Sequence, residues 1–416
     1  MNVYAQIILA ALLLEYALTV AANLFNLKAL RSEPPDELRD VYDADVYARS
    51  QEYTRLETRF GFVTSTFDLG LLLAFWFGGG FQWLDAWVRG FGLGSTLTGL
   101  VYVGVLVLAK GILALPFSVY STFVIEERFG FNRTTPRVFV LDLAKGLGLA
   151  LVLGAPLLAL VLLFFEQAGE AAWLYCWLAS SLFVLFIQLV FPAWVLPLFN
   201  RFEPLPEGEL REAISRYAES VSFALHGVFV MDGSRRSSRG NAFFTGLGKH
   251  RRVALYDTLL DKHTARELVA VLAHEIGHYK KKHIVKNLAI AVAHGGLMFY
   301  LLSIFLTHEG LFEAFYLETT SVYAGLVIFG LLYAPIELLL QMLMNLLMRR
   351  DEFEADRFAA ETAEPEAMVS ALKKLSADNL ANLTPHPFYV FLNHCHPPTV
   401  ERIRAIRGLG AAAQSW

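Results

Sequence analysis

S-V-Y-A-G-L-V-I-F-G-L-L-Y-A-P-I-E-L-L-L-Q-M-L-M-N-L-L, from Ser321 to Leu347, holds one charged residue, Glu337, and runs directly into M-R-R-D-E-F-E-A-D, from Met348 to Asp356. The first part is long and apolar enough to cross a bilayer. The second is rich in acids. The chain therefore alternates between two solvents, hydrocarbon and water.

The composition agrees. The sequence is 55% hydrophobic and 18% charged over 416 residues, which excludes an ordinary soluble protein. Apolar stretches recur at about 3–27, 63–88, 96–125, 139–165, 171–199, 285–307 and 321–347, predicting about seven transmembrane helices. Pro335 is expected to kink the last of them. No Lys or Arg precedes the first, and no small-residue cleavage site follows it, so it reads as a span rather than a signal peptide. Lys and Arg alternate between connections. Lys28 to Arg59, Arg128 to Arg137 and the long stretch 200–284 are rich in cations, whereas 166–170 and 308–320 have none. The positive-inside rule then puts the N-terminus outside and the C-terminus in the cytoplasm. The expected organisation is 1–199 with five spans, a cytoplasmic unit at 200–284, two spans in 285–348, and a cytoplasmic part at 349–416.

The chemistry lies in H-E-I-G-H, from His274 to His278. Two His four residues apart on a helix project to one side and can share a metal ion. Glu275 sits about 100° around the helix, within reach of a metal-bound water, and suits a general base. Thr264 and Glu267 form a T-x-x-E capping box, predicting a helix from about Ala265. Glu267, Val271, His274 and His278 share one face of it. Val269, Leu272 and Ile276 lie opposite, and Lys280 to His283 supply cations near its C-terminal end. A catalytic zinc usually keeps three protein ligands and one water. Asn345, Arg349, Glu352 and Asp356 share a helix face, with Glu352 as the third ligand and Asp356 placed to orient a ligand imidazole. Glu354 is the competing choice for third ligand. Arg350, Asp351 and Arg357 read as ordinary surface charges. One catalytic Zn2+ is the expected cofactor, and the expected reaction is peptide hydrolysis.

In the 200–284 unit, a helix is expected at about 208–222 and a strand at Val228–Met231. A polar loop follows with Arg235, Arg236 and Arg239. Asn241–Leu247 and Arg251–Tyr256 should form a hairpin joined by a Gly-Lys turn. A strand beside the metal helix can hold an extended peptide, so Asn241 and Ala242 are candidate substrate-binding residues; an ordinary hairpin fits equally. The basic loop suits a substrate carboxylate or simple positive-inside bias. Glu15, Asp68, Lys110, Asp142, Lys145 and Glu337 lie inside proposed spans, and line a polar chamber or pair between helices. Cys176 and Cys395 are expected on opposite membrane faces and unpaired. The net charge of −4 is small and gives no argument for nucleic-acid binding, so no nucleic-acid partner is expected.

The chain resembles the CAAX prenyl protease 1 family, the Ste24-type integral-membrane zinc metallopeptidases of peptidase family M48. The resemblance is carried by H-E-I-G-H, by N-L-L-M-R-R-D-E-F-E-A-D from Asn345 to Asp356, and by V-F-V-M-D-G-S-R-R-S-S-R-G-N-A-F-F-T-G from Val228 to Gly246. F-V-I-E-E-R-F-G-F-N-R-T-T from Phe123 to Thr135 and H-P-P-T-V-E-R from His396 to Arg402 add to it. It departs at Met348, where the family pattern has Ser. The resemblance implies a mainly α fold: a chambered bundle of seven transmembrane helices bearing a cytoplasmic gluzincin-type site with a small sheet. It implies ligands His274, His278 and Glu352, general base Glu275, and Asn241 and Ala242 along the substrate strand. It also implies that His396 stabilises the oxyanion and that Arg402 supports the region.

The expected activity is a zinc metalloendopeptidase cutting near the C-terminus of prenylated CAAX-type proteins or peptides, with the lipid bilayer as the other partner. The Ala-rich tail without an ER-return signal reads as prokaryotic, implying an inner (plasma) membrane location. Quality control of membrane proteins is the alternative role. Two other classes compete: an intramembrane protease of site-2 type, and a non-enzymatic transporter or holdase with structural zinc. Against the first, the motif is flanked by charge. Against the second, only three good ligands are evident, where a structural site closes with four.

Overall fold

Among the described residues, seven helices of the computed structural model have the length and apolarity to cross a membrane: Val3–Ala29, Ala44–Phe77, Ser95–Glu126, Pro136–Gln167, Gly169–Phe199, His283–Phe305 and Val322–Thr362. The structure describes residues 1–245 and 252–413. Leu13, Val107, Val152 and Trp194 stay exposed on these helices, which suits contact with lipid. At one end of the bundle Phe315 stacks on Trp76 and meets Phe81 edge to face, and Tyr102 meets Tyr323 at a tilt, all within one buried cluster.

Two spans differ from the apolar pattern. The second begins at Ala44, capped by Asp43, and ends at Phe77; the rest of the predicted stretch is a separate helix, Gly80–Arg89. Gly79, at φ 71°, makes the break. The charged half of this helix escaped hydropathy because helix formation needs no apolar side chains. The seventh span is one helix of 41 residues that carries Glu352 and Asp356 on the same rod as the membrane segment. The junction expected at residue 348 lies inside it.

The intramembrane charges fall into two groups. Glu15, Asp68 and Lys110 line a cavity of about 610 Å³ between the first, second, third and seventh spans, with Lys110 paired to Asp68. The others tie elements together. Arg236 grips Asp142 at 2.7 and 2.9 Å, Lys145 Nζ donates to Leu198 O at 2.7 Å, and Glu337 meets His294 at 3.3 Å.

The water-facing unit is built on a four-stranded sheet: β1 (Phe202–Pro204), β2 (Gly227–Met231), β3 (Ala242–Thr245) and β4 (Arg252–Tyr256), in the order β1-β2-β4-β3. β3 and β4 pair antiparallel as the hairpin expectation required, with Ala242 opposite Leu255. Gly248 and Lys249, the predicted turn, lie outside the described residues, as do Gly246 and Leu247. Local pattern missed the short strand β1 and the parallel pairing of β2 with β4, because both depend on residues distant in sequence. The expected helix at 208–222 is Glu209–Ser220. Leu268, Leu272 and Ile276 bury against Leu255, Leu259 and Phe223, each worth roughly 1.5–3 kcal/mol of apolar burial.

Candidate metal centre

The motif helix runs from Ala265 to Lys280. Thr264 N–H donates to Glu267 Oε2 at 2.8 Å, and Glu267 N–H to the Thr264 hydroxyl at 3.4 Å, closing the capping box. The helix is buried on both faces rather than amphipathic, because its polar face meets the long seventh helix. Glu267 on that face is held by Ser370 at 2.6 Å and Lys374 at 2.8 Å. Gly277 permits the close approach: a Cβ there would lie 3.1 Å from Ala355 Cα and from its carbonyl oxygen. The glycine of H-E-I-G-H thus brings two helices, and their side chains, within reach of each other.

His274, His278 and Glu352 converge. His278 Nε2 lies 3.1 Å from His274 Nε2 and 3.2 Å from Glu352 Oε1, and His274 Nε2 lies 3.5 Å from Glu352 Oε2. A tetrahedral ion with bonds of about 2.0–2.1 Å separates its ligand atoms by about 3.3 Å. The His274–His278 separation is close to one edge of that tetrahedron, Glu352 presents Oε1 to His278 and Oε2 to His274 at similar reach, and two imidazoles with one carboxylate are a donor set zinc accepts. Glu354, the competing choice, faces away toward His283, at 3.3 Å.

The surrounding groups orient these three. Asp356 Oδ1 lies 2.9 Å from His274 Nδ1, leaving Nε2 toward the other donors. Arg402 Nε and Nη2 donate to Asp356 at 2.8 and 2.6 Å, and its Nη1 lies 3.5 Å from Glu352. Asn345 and Arg349 do not touch the donors. Asn345 donates to Leu392 O at 2.9 Å, and Arg349 to Val390 O at 3.0 Å and His394 O at 2.5 Å. They fix the segment that leads into His396, whose Nδ1 lies 2.9 Å from Glu352 Oε2.

His396 also borders a cavity of about 740 Å³, lined by Asn23, Tyr53, Glu57 and Arg239 among others. Of the basic loop, Arg236 is engaged by Asp142, and Arg239 by Glu126 at 3.1 Å. Cys395 and then Glu352 raise the His396 imidazole to about 10, favouring its protonated form. Burial pushes Glu275 above the usual carboxylate range, and the neighbouring His274 and His278 only partly offset it. Ala242 opens β3, an edge strand packed against the motif helix, and Asn241 O accepts Tyr256 N–H at 3.0 Å.

Sequence reasoning missed His283 and misread Asp351. Both are buried, and they face each other at 3.6 Å. His283 is not a trailing cation of the motif helix but the first residue of the sixth span. Lys282, at φ 60°, turns the chain so that His283 Nδ1 reaches His278 Nδ1 at 3.1 Å. A separation of five residues meets no face of a continuous helix, so periodicity could not reveal it.

A seven-span bundle whose water-facing unit joins H-E-x-x-H to a distant glutamate defines an integral-membrane metallopeptidase. The family described as CAAX prenyl protease N-terminal, five membrane helices, matches residues 23–201, and Peptidase family M48 matches residues 204–409. A CAAX prenyl protease 1 homolog of Oryza sativa subsp. japonica is 33% identical over 97% of each chain. The Homo sapiens homolog is 30% identical over 90% of this chain and 88% of its own. The crystal structure of S. mikatae Ste24p superposes with a TM-score of 0.92 at 30% identity, covering 98% of this chain and 99% of that one. The chain belongs to the CAAX prenyl protease 1 family within peptidase family M48. It is a membrane metalloprotease, with a peptide or protein substrate and the bilayer as its surroundings.

Proposed function

We propose that the chain holds one zinc ion through His274, His278 and Glu352, and removes residues from the C-terminus of prenylated CAAX-type proteins or peptides. The convergence of two imidazole nitrogens and one carboxylate within ion-binding reach supports the first half. The names of the relatives support the second. Bound there, zinc supplies a Lewis acid that acidifies water and polarises a carbonyl.

The chain's own residues do the rest. Glu275, its basicity raised by burial, takes a proton from water and delivers it to the leaving amine nitrogen. Protonated His396 donates a hydrogen bond to the oxyanion that develops on the scissile carbonyl. Asn241 and Ala242, at the head of edge strand β3, pair with the extended substrate backbone. The cavity beside His396 has room for the flanking substrate residues. By the alternation of loop charge, this site faces the cytoplasm and the N-terminus lies outside.

Two observations weigh against the rival classes. The motif helix, Ala265–Lys280, is outside the seven spans, unlike a site-2 arrangement. Three donors, not four, converge among the described residues, which suits a catalytic ion rather than a structural one. The test is incubation of the purified protein with a farnesylated CAAX peptide, with and without chelator, and identification of the fragments by mass. Release of the C-terminal tripeptide, abolished by chelator and restored by zinc, is expected. Cuts scattered through unrelated membrane proteins, with the CAAX peptide intact, would favour quality control instead.

A further inference from the structure

His274 and His278 each turn Nε2 toward the candidate ion, so each must carry its proton on Nδ1 and needs an acceptor there. For His274 the acceptor is Asp356. For His278 it is another imidazole: His283 Nδ1, at 3.1 Å. His283 can accept only as the tautomer protonated on Nε2. That nitrogen faces two carboxylates, Glu354 Oε2 at 3.3 Å and Asp351 Oδ1 at 3.6 Å. Asp351 is in turn paired with Lys286. Every proton in this chain has a donor and an acceptor.

We propose that His283 is a positioning residue for the metal centre, accepting the Nδ1 proton of His278 and passing its hold to Glu354 and Asp351. The proposal rests on the reading of His274, His278 and Glu352 as a zinc site. The same three outer groups offer donor atoms within 4.8 Å of one another, spacing that could also hold a second cation. Proton positions argue against that. A cation taking the Nε2 lone pair would leave the His283 proton on Nδ1, facing the Nδ1 proton of His278, two donors 3.1 Å apart. Lys286 also already neutralises Asp351. The long seventh helix thereby supports both imidazoles from one rod, His274 through Asp356 and His278 through His283 and Glu354.

The experiment measures zinc stoichiometry and zinc affinity, by chelator competition, on the purified full chain and the variants His283→Leu, His283→Asn and Glu354→Ala. The visible spectrum of the cobalt-substituted proteins is recorded alongside. One zinc per wild-type chain is expected. His283→Leu should loosen it roughly 10–100-fold and alter the cobalt spectrum. His283→Asn, whose amide oxygen can accept in place of Nδ1, should recover most of the affinity. Glu354→Ala, on a half-exposed side chain, should cost a few-fold and serves if His283→Leu does not fold. Unchanged zinc affinity in His283→Leu, or in Glu354→Ala where that variant stands alone, overturns the role of His283 while leaving the zinc site intact. A second wild-type zinc that His283→Leu removes overturns it too. A wild-type protein that binds no zinc overturns both readings together.

Discussion

The Arg402 guanidinium closes on the Asp356 carboxylate through two hydrogen bonds, Nε to Oδ2 at 2.8 Å and Nη2 to Oδ1 at 2.6 Å. Both side chains are nearly out of water, at 12% and 2% exposure. Asp356 Oδ1 is shared between Arg402 Nη2 and His274 Nδ1, the latter at 2.9 Å, while Oδ2 takes Arg402 Nε. The C-terminal helix bearing Arg402, Thr399–Ala413, is thus tied to the donor set through a carboxylate that is itself not a donor.

Breaking this pair should leave a buried charge uncompensated. Arg402→Ala is expected to cost about 3–5 kcal/mol, read as a fall in thermal midpoint of the detergent-solubilised protein. Arg402→Lys should recover little, since a point charge cannot reproduce the two-pronged contact. Asp356→Asn should lower zinc affinity about 10–100-fold, because the His274 ring loses its charged acceptor.

Glu275→Gln should separate binding from chemistry. Glu275 is not among the converging donor atoms, so metal content should match wild type by elemental analysis. Peptide cleavage should fall by about 10²–10⁴-fold with the loss of the proton acceptor. Glu352→Gln, in contrast, should lose metal and cleavage together. Equal metal loss in both variants would contradict the assignment of their roles.

Arg349 supports the segment before His396 from below. Arg349→Ala leaves Val390 O and His394 O without this donor, at a cost of about 1–3 kcal/mol. Backbone amides of the helix Pro387–Asn393 should exchange faster with deuterium, and kcat should fall more than zinc affinity because His396 loses its placement. Unaltered exchange across 387–396 would show that the segment holds itself.

Stability should depend on acid through Glu267. Burial alone would raise its carboxyl, but Lys374, Ser370 and the Thr264 N–H lower it to about 2. A carboxylate with a depressed folded-state pKa stabilises the fold above its unfolded value, and that stability is lost as pH falls toward the folded value. The difference in thermal midpoint between wild type and Glu267→Gln should thus be full at about pH 6 and shrink from about pH 4.5 downward. A difference independent of pH across that window would remove the ion pair as its cause.

The sequence by itself determined the solvent of each segment, the start of the motif helix and the helix face of Glu352. These are local properties: hydropathy over some twenty residues, a capping box over four, and spacing along one rod. It also located most of β2, β3 and β4, since alternation and turn residues act over short range. Only the tertiary structure decided what met what. The parallel pairing of β2 with β4, the approach of two helices at Gly277, the partnership of Asp351 with His283 and the facing of Glu352 to His278 but of Glu354 to His283 all depend on contacts between distant segments. Periodicity says which residues share a face, but not which neighbour that face will find. That is set by packing, where small residues allow approach and each buried donor must find its acceptor.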